Sequence, residues 1–328
     1  MFPRFFSSSI RRAHENPLGL PRNTPQAPQI PRRSTGPIAP RKIPNVKHVV
    51  LVSSCKGGVG KSTIAANLAI SLALSSRLHV GILDLDIFGP SIPTLMGLRS
   101  ASEPELTQSG ALRPITNHSI PTMSMAYLLP PMPPNLENSE INTSGDTPVV
   151  WRGLMVQKAV QQLLFQVDWT GGEGGPGLDV LVVDLPPGTG DIPLSLGQLV
   201  VVDGTVIVST PQDVALADVR RGVSMFRKLN IPLTGLVLNQ SYFLCPSCTS
   251  QHHLYGSPTL FRRTASSLQI PILAELPLVS GVSEGGDGGV PYALTSRGNG
   301  EEGKAGEEWK MGMKEVARRV WEGISEKK

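Results

Sequence analysis

The chain has 328 residues, 40% of them hydrophobic, with 30 Lys+Arg against 26 Asp+Glu. That length exceeds one average domain, yet a single open α/β sheet with extensions absorbs it. Three cysteines exclude a disulfide scaffold, and with no apolar run long enough to span a bilayer, stable membrane insertion is not expected.

The formal net charge of +4 hides an asymmetry. Residues 1–48 hold nine Lys/Arg and one acid, Glu15, a net of +8; the remaining 21 basic and 25 acidic residues give −4, which offers no support to nucleic-acid binding. The opening Met1-Phe-Pro-Arg-Phe-Phe-Ser-Ser-Ser-Ile-Arg-Arg12 is rich in arginine and serine and lacks acids, the composition of a mitochondrial presequence. Eight prolines between Pro17 and Pro44 predict an extended, unstructured continuation. Residues 1–46 are therefore expected to be a presequence and disordered leader, with a mitochondrial-matrix destination, and residues 47–328 the folded domain. A disordered basic arm is the competing reading.

In chain order, residues 47–53 form a short valine-rich run that predicts a strand, and residues 64–73 predict a buried helix. A second strand, 79–84, ends in acid. Residues 100–148, polar and proline-rich, are expected to be an insertion with short elements, of which 135–146 form an exposed excursion. Apolar residues at helical spacing in 151–169 predict a helix, and the glycines of 171–177 a flexible linker. Continuous apolar runs at 179–184, 204–210 and 232–239 predict strands buried on both faces, with a helix at 214–229 between two of them. Residues 281–306, rich in glycine and charge, predict a mobile loop. Trp309, Met313, Val316, Val320 and Ile324 then mark an amphipathic helix able to cover the sheet. Alternating strands and helices predict an α/β fold with a mainly parallel sheet, ligands collecting at the carboxyl ends of its strands.

Between the first strand and helix stands Cys55-Lys-Gly-Gly-Val-Gly-Lys-Ser-Thr63. Gly57, Gly58, Val59 and Gly60 supply a flexible backbone whose N–H groups can converge on phosphate oxygens, while Lys61 neutralises charge and Ser62 reaches magnesium. Cys55 occupies the place of the usual first glycine. Asp184 ends a strand and precedes Leu185-Pro-Pro-Gly-Thr-Gly-Asp191, which aims its carboxylate at the magnesium shell and lets Gly188 offer its N–H to a γ-phosphate. Asp84 and Asp86, at the end of the second strand, come within reach of the metal and the attacking water; turn formation or helix capping is the alternative for either alone. Cys245 and Cys248 are spaced to grasp one metal centre, but a cluster or tetrahedral zinc generally needs four ligands. Sharing one centre between two subunits would complete the count. His252 and His253 nearby are expected to have surface or capping roles, and a thioredoxin-like pair or structural zinc are the other readings of the cysteines.

Six motifs together resemble the Mrp family of P-loop iron-sulfur carrier ATPases, of the deviant Walker A type. These are Lys56-Gly-Gly-Val-Gly-Lys-Ser-Thr63, Asp84-Leu-Asp-Ile-Phe-Gly-Pro-Ser-Ile-Pro93, Pro148-Val-Val-Trp-Arg-Gly153, Asp184-Leu-Pro-Pro-Gly-Thr-Gly-Asp191, Ser209-Thr-Pro-Gln-Asp-Val-Ala-Leu-Ala-Asp218 and Phe243-Leu-Cys-Pro-Ser-Cys248. With its arginine-rich start the chain is most similar to the mitochondrial branch that serves respiratory complex I assembly. The resemblance implies that Lys61 binds the β- and γ-phosphates of ATP, Ser62 the Mg2+ and Thr63 the α-phosphate. It also implies that Lys56 crosses a homodimer interface to the partner's nucleotide, Asp86 positions the hydrolytic water, Asp84 and Asp184 surround the magnesium, and Asn239 bonds adenine. The implied function is a slow ATP hydrolase that carries a labile [4Fe-4S] cluster on Cys245 and Cys248 and delivers it to apo iron-sulfur proteins, complex I subunits above all. A positioning ATPase of the same superfamily and a zinc-stabilised nucleotide-binding scaffold are the rivals.

Overall fold

The apolar runs pair with one another, and their pairing builds the molecule. The computed structural model describes residues 39–87, 89–128, 153–171, 174–295 and 303–326. In chain order these form β1 (Val46–Ser53), α1 (Lys61–Ser76), β2 (Val80–Asp84), α2 (Ile92–Leu95), β3 (Ile115–Asn117), β4 (Ile120–Ser124), α3 (Gly153–Phe165), β5 (Leu178–Asp184), α4 (Asp191–Leu199), β6 (Gly204–Ser209), α5 (Asp213–Lys228), β7 (Gly235–Leu244), β8 (Gln251–His252), α6 (Thr259–Leu268), β9 (Ile272–Leu278), α7 (Ser280–Asp287) and α8 (Gly303–Ser325). The sheet runs β3-β4-β2-β5-β1-β6-β7-β8, with β9 also paired to β7. All pairings are parallel except the two short edges, β3 on β4 and β8 on β7.

Each central strand buries both faces. Val50, Val52, Val180 and Val182 enter one core with α1 and α8, while Val49, Leu51, Leu181 and Val183 enter the other with α3 to α6. That is why these strands read as continuous apolar runs without alternation. Helix α1 is buried from Ile64 to Leu72, squeezed between the sheet and α8. Helix α8 covers it with Trp309, Met313, Val316, Val320 and Ile324, all at most 1% exposed, and leaves Arg318 and Arg319 outside with Glu315 and Glu322. No helix among the described residues is long and apolar enough to cross a membrane.

Three boundaries differ from the sequence reading. The packed chain begins before residue 47: Arg41 bridges Val200, its guanidinium lies 3.6 Å over the Phe165 ring, and Ile43 is buried. Pro40 and Pro44 favour an extended chain there, and an extended chain can pair. Residues 1–38, which carry the presequence reading, lie outside the described residues, as does the 135–146 excursion. Within the supposed insertion, β3 and β4 form a hairpin that joins the main sheet through parallel pairing of β4 with β2. Short strands at an edge, with Pro121 and polar neighbours, carry too little apolar pattern to be read as sheet.

The third correction concerns 281–306. Its first part is helix α7 and its last residues open α8, with a 3-10 turn at Tyr292–Leu294 between them. The glycines serve close approach. Gly289, at φ +75°, lies against the backbone of Gly97, and a side-chain carbon on Gly286 would sit 2.9 Å from Leu95. His118 fastens the same turn through Nε2 at 2.8 Å from the Gly289 carbonyl. A Gly289→Ala substitution adds a methyl into backbone at a left-handed φ, and should destabilise the fold by about 2–4 kcal/mol. Urea unfolding checks this; an unchanged midpoint would return the segment to the class of mobile loops.

Candidate functional site

β1 delivers the chain to a loop at its carboxyl end, and the loop turns directly into α1. Gly60 caps α1 at φ +84°, a conformation glycine adopts without strain, and Asn239 from β7 fills the space where a side chain at Gly60 would lie. Asn239 Nδ2 donates to the Val59 carbonyl at 2.9 Å. The first turn of α1 has neither a side-chain cap nor an acidic residue, so its leading N–H groups remain for an anion. Gly57 and Gly58 are exposed at the loop tip, with Lys56, Ser62 and Thr63 half-buried beside them.

Lys61 is 6% exposed and points into the sheet end. Its Nζ lies 2.6 Å from Asp184 Oδ1, 3.0 Å from Ser62 Oγ and 3.8 Å from Asp86 Oδ2. Asp184 Oδ2 is buried and, among the described residues, has no hydrogen-bond partner. Burial raises the Asp184 carboxyl above the usual range, opposed by the Lys61 charge. Asp84 and Asp184 are register partners at the ends of β2 and β5, both fully buried. Burial and then the Asp184 charge push Asp84 up to about 8.

Asp84 has an occupation other than the magnesium shell expected of it. Its Oδ1 accepts the Asp86 N–H at 2.9 Å, and its Oδ2 accepts from Ser124 Oγ at 3.1 Å and from the Ile92 N–H at 3.3 Å. The carboxyl thus braces the turn that carries Asp86, the turn-forming alternative. Gly188, expected to face a γ-phosphate, donates its N–H to the Ser54 carbonyl at 2.8 Å and would have to exchange that bond for a phosphate oxygen. Lys56 Nζ lies 3.3 Å from Gln212 Oε1, just before α5. Neither Gln212 nor Ser124 was among the sequence candidates. Gln212 lies inside one of the six motifs, whereas Ser124 ends the short strand β4 with no pattern to mark it.

Cys55 turns away from the ligand side of the loop. Its thiol lies against Gly222 of α5, and burial pushes it up to about 11. Cys245 and Cys248 sit elsewhere, directly after β7. That strand continues past Asn239 through an irregularity at Gln240, φ +54°, where its register with β9 shifts. A tight turn follows, with Thr249 N–H donating to the Cys245 carbonyl at 2.8 Å and Cys245 N–H to the Ser250 carbonyl at 3.0 Å. Cys248 is exposed, and hydrogen bonds from Ser250 and Cys245 lower its thiol. His252 is exposed in β8, and His253 Nδ1 lies 3.0 Å from the Ser241 carbonyl, consistent with surface and capping roles. Among the described residues, no three His, Cys, Asp or Glu side chains gather as a metal site.

The family described as ParA, NUBPL iron-transfer P-loop NTPase, matches residues 45–310. The iron-sulfur cluster transfer protein NUBPL of Mus musculus is 45% identical over 262 residues, 80% of this chain and 75% of its own. The iron-sulfur protein required for NADH dehydrogenase, mitochondrial, of Arabidopsis thaliana is 42% identical over 258 residues, 79% of this chain and 75% of its own. Among solved structures, the nucleotide-binding protein in complex with ADP from Archaeoglobus fulgidus superposes with TM-score 0.61 at 32% identity, covering 76% of this chain and 89% of that one. The cell division ATPase MinD of Pyrococcus furiosus, at TM-score 0.54 and 16% identity, covers 84% of this chain and 98% of its own and shares the fold.

Two measurements test this geometry. Thiol alkylation near neutral pH should modify Cys248 first and Cys55 last, because exposure and thiolate character fall in that direction; fast labelling of Cys55 would place it on the ligand side of the loop. The second is stability against pH without nucleotide or magnesium. Asp84, raised to about 8 in the fold and ordinary when unfolded, keeps its proton in the native state alone between those values, so stability should fall as pH rises from about 4 to 8. Asp84→Asn should flatten that part of the profile, and an unaltered slope would show that the carboxyl ionises freely in place.

Proposed function

The chain belongs to the NUBPL iron-transfer P-loop NTPase family, and on that premise we propose that it is an ATP-dependent carrier of a [4Fe-4S] cluster. It works as a homodimer in the mitochondrial matrix and delivers its cargo to apo iron-sulfur proteins, complex I subunits among them. The observation that carries this reading is the pair Cys245 and Cys248. Two thiols leave a strand of the nucleotide-binding sheet, one exposed with its thiol lowered, with no third ligand gathered among the described residues. Two such pairs, one per subunit, supply the four thiolates that a four-iron cluster takes. The relatives named for cluster transfer and for NADH dehydrogenase support the cargo and the clients, and the word mitochondrial in one name, with the arginine-rich start of this chain, supports the compartment.

Beside Asn239, midway along β7, Lys61, Ser62 and Thr63 would take the phosphates of ATP. A phosphate entering the loop competes with Asp184 for the Lys61 charge. The residues fit Mg2+: Asp184 has an unpartnered buried oxygen and Ser62 a hydroxyl beside the same lysine, and these two would hold the ion. Magnesium, when bound, neutralises phosphate charge at the site of attack. Asp86, steadied by Asp84, would orient the attacking water. Lys56 would leave Gln212 to reach the partner's nucleotide, and Asn239 would bond adenine while its amide braces the loop.

Anaerobic reconstitution with iron and sulfide tests the proposal on the whole chain and on Cys245→Ala/Cys248→Ala. The expected result is about four iron and four sulfide per dimer, transferable to an apoprotein and absent from the variant, which melts as the wild type does. Tightly held zinc with no cluster, together with a large loss of stability in the variant, would overturn the carrier reading in favour of a zinc-stabilised scaffold.

A further inference from the structure

Away from the thiols and the phosphate loop, helices α4 and α5 leave an open cleft of about 560 Å³ between them. Its lining brings Arg220, Arg221 and Lys228 together with the apolar Leu194 and Met225 and with Thr189. Among the described residues, the lining holds three cations and no carboxylate. This stands out in a chain whose residues after 48 sum to a net −4. Arg221 pairs with Asp218 at 3.0 Å on its own helix, Arg220 reaches Thr264 Oγ1 at 3.4 Å, and Lys228 is exposed with no ion pair or hydrogen bond to the described residues. Leu194, a large aliphatic side chain of that lining, is 37% exposed.

We propose that this cleft is the docking site for an acidic amphipathic segment of the apoprotein that receives the cluster. The inference rests on the carrier reading for the identity of the partner, but the geometry of the site is its own. Cations around a partly apolar floor fit a helix or extended segment that lays apolar side chains on Leu194 and Met225 and carboxylates toward Arg221 and Lys228. The cleft is open on its outer side, which suits a segment of a protein better than an enclosed small molecule. Its position also links docking to nucleotide state. Thr189 belongs to the loop after Asp184, whose Gly188 N–H bonds the Ser54 carbonyl at the base of the phosphate loop. A ligand of that loop and a segment in the cleft touch one short stretch of chain, so any effect of one on the affinity of the other must be returned equally.

The test uses the full chain and three amphipathic peptides of one length and one apolar face that differ only in being acidic, neutral or basic, with binding read by fluorescence anisotropy. The acidic peptide should bind tightest, lose affinity as salt rises from about 0.05 to 0.3 M, and bind about tenfold more weakly to Arg221→Glu/Lys228→Glu. The milder Arg221→Gln/Lys228→Gln should give the same direction with a smaller change and guards against a folding defect. Cluster loading at Cys245 and Cys248 should be intact in both variants, and transfer to an apoprotein slower. Equal binding of all three peptides, or an acidic peptide indifferent to the substitutions, would overturn the proposal. A change in sedimentation of the glutamate variant with no change in peptide binding would do so too, by making the face a contact between copies of this chain. The peptide measurements need no cluster, so failure of the carrier reading would show in the reconstitution alone and leave the cleft judged separately.

Discussion

The ion pair between Lys61 and Asp184 is the constraint on which the arrangement turns. Both partners are nearly or wholly out of water, and a buried charge is tolerable only when paired and hydrogen-bonded. The pairing fixes where the loop after β1 must end, because Lys61 is the first residue of α1 and Asp184 the last of β5. It therefore fastens helix to sheet at the phosphate end. It also stores opposite charges that a nucleotide can separate: an anion in the loop gains the lysine, and the carboxylate so released is left facing Ser62. One buried lysine serves Asp184 and, at 3.8 Å, Asp86, and a third carboxyl, Asp84, lies beside Asp184 in register. Burial, and then the negative charge of Asp184, push Asp84 toward its protonated form, while the Asp86 and Ile92 N–H groups and the Ser124 hydroxyl donate to its oxygens.

Much of this was legible in the residues, for stated physical reasons. Strands buried on both faces must be apolar throughout, so β1, β5, β6 and the first half of β7 declare themselves. The phosphate loop is legible because few residue types permit its backbone, and Gly60 shows why: it is both left-handed and crowded by Asn239. What escaped was structure held by backbone and small residues. The β3–β4 hairpin gains its place from main-chain bonds to β2, which leave no pattern in side-chain polarity. The glycines of α7 read as flexibility, yet close packing needs the absence of a side chain as much as a loop does. Residues 39–46 look like a leader by composition, although Arg41, paired with Val200 and lying over Phe165, and the buried Ile43 and Val46 anchor them.

The electrostatic site was legible in its membership and not in its division of labour. Asp84, Asp86 and Asp184 are alike in type and all follow apolar strands, so composition assigns them one neighbourhood. Their separation into a brace (Asp84), the acid that the brace steadies (Asp86) and the close lysine partner (Asp184) depends on Ser124 and on the turn through Ile92, neither of which is marked by residue type. Cys55 makes the same point in reverse. As a departure from a glycine-rich pattern it invites a chemical role, but its environment is a glycine on α5 and its thiol is held neutral by burial.

β7 gives the two ends of the proposed cycle a common part. Asn239 lies midway along it against the loop carbonyl of Val59, and Cys245 follows its last residue, so the phosphate loop and the thiols are separated by about half the strand. The strand is not uniform between them. At Gln240 the backbone takes a left-handed φ and the register with β9 shifts, and such a bulge re-aims everything beyond it. A displacement of Asn239 by nucleotide would thus meet a joint before it reached the cysteines. A straight strand would translate the thiols along its axis, whereas a bulged one can swing them, and swinging is the motion that changes the distance between two pairs facing each other across an interface. In the proposed dimer, a cargo gripped by four thiolates from two subunits would be sensitive to that distance, because losing two ligands together would leave a cluster half-coordinated and open to a client's own cysteines. In the proposed carrier, the irregularity in β7, which no residue pattern announces, would therefore be the joint between the phosphate end and the thiols.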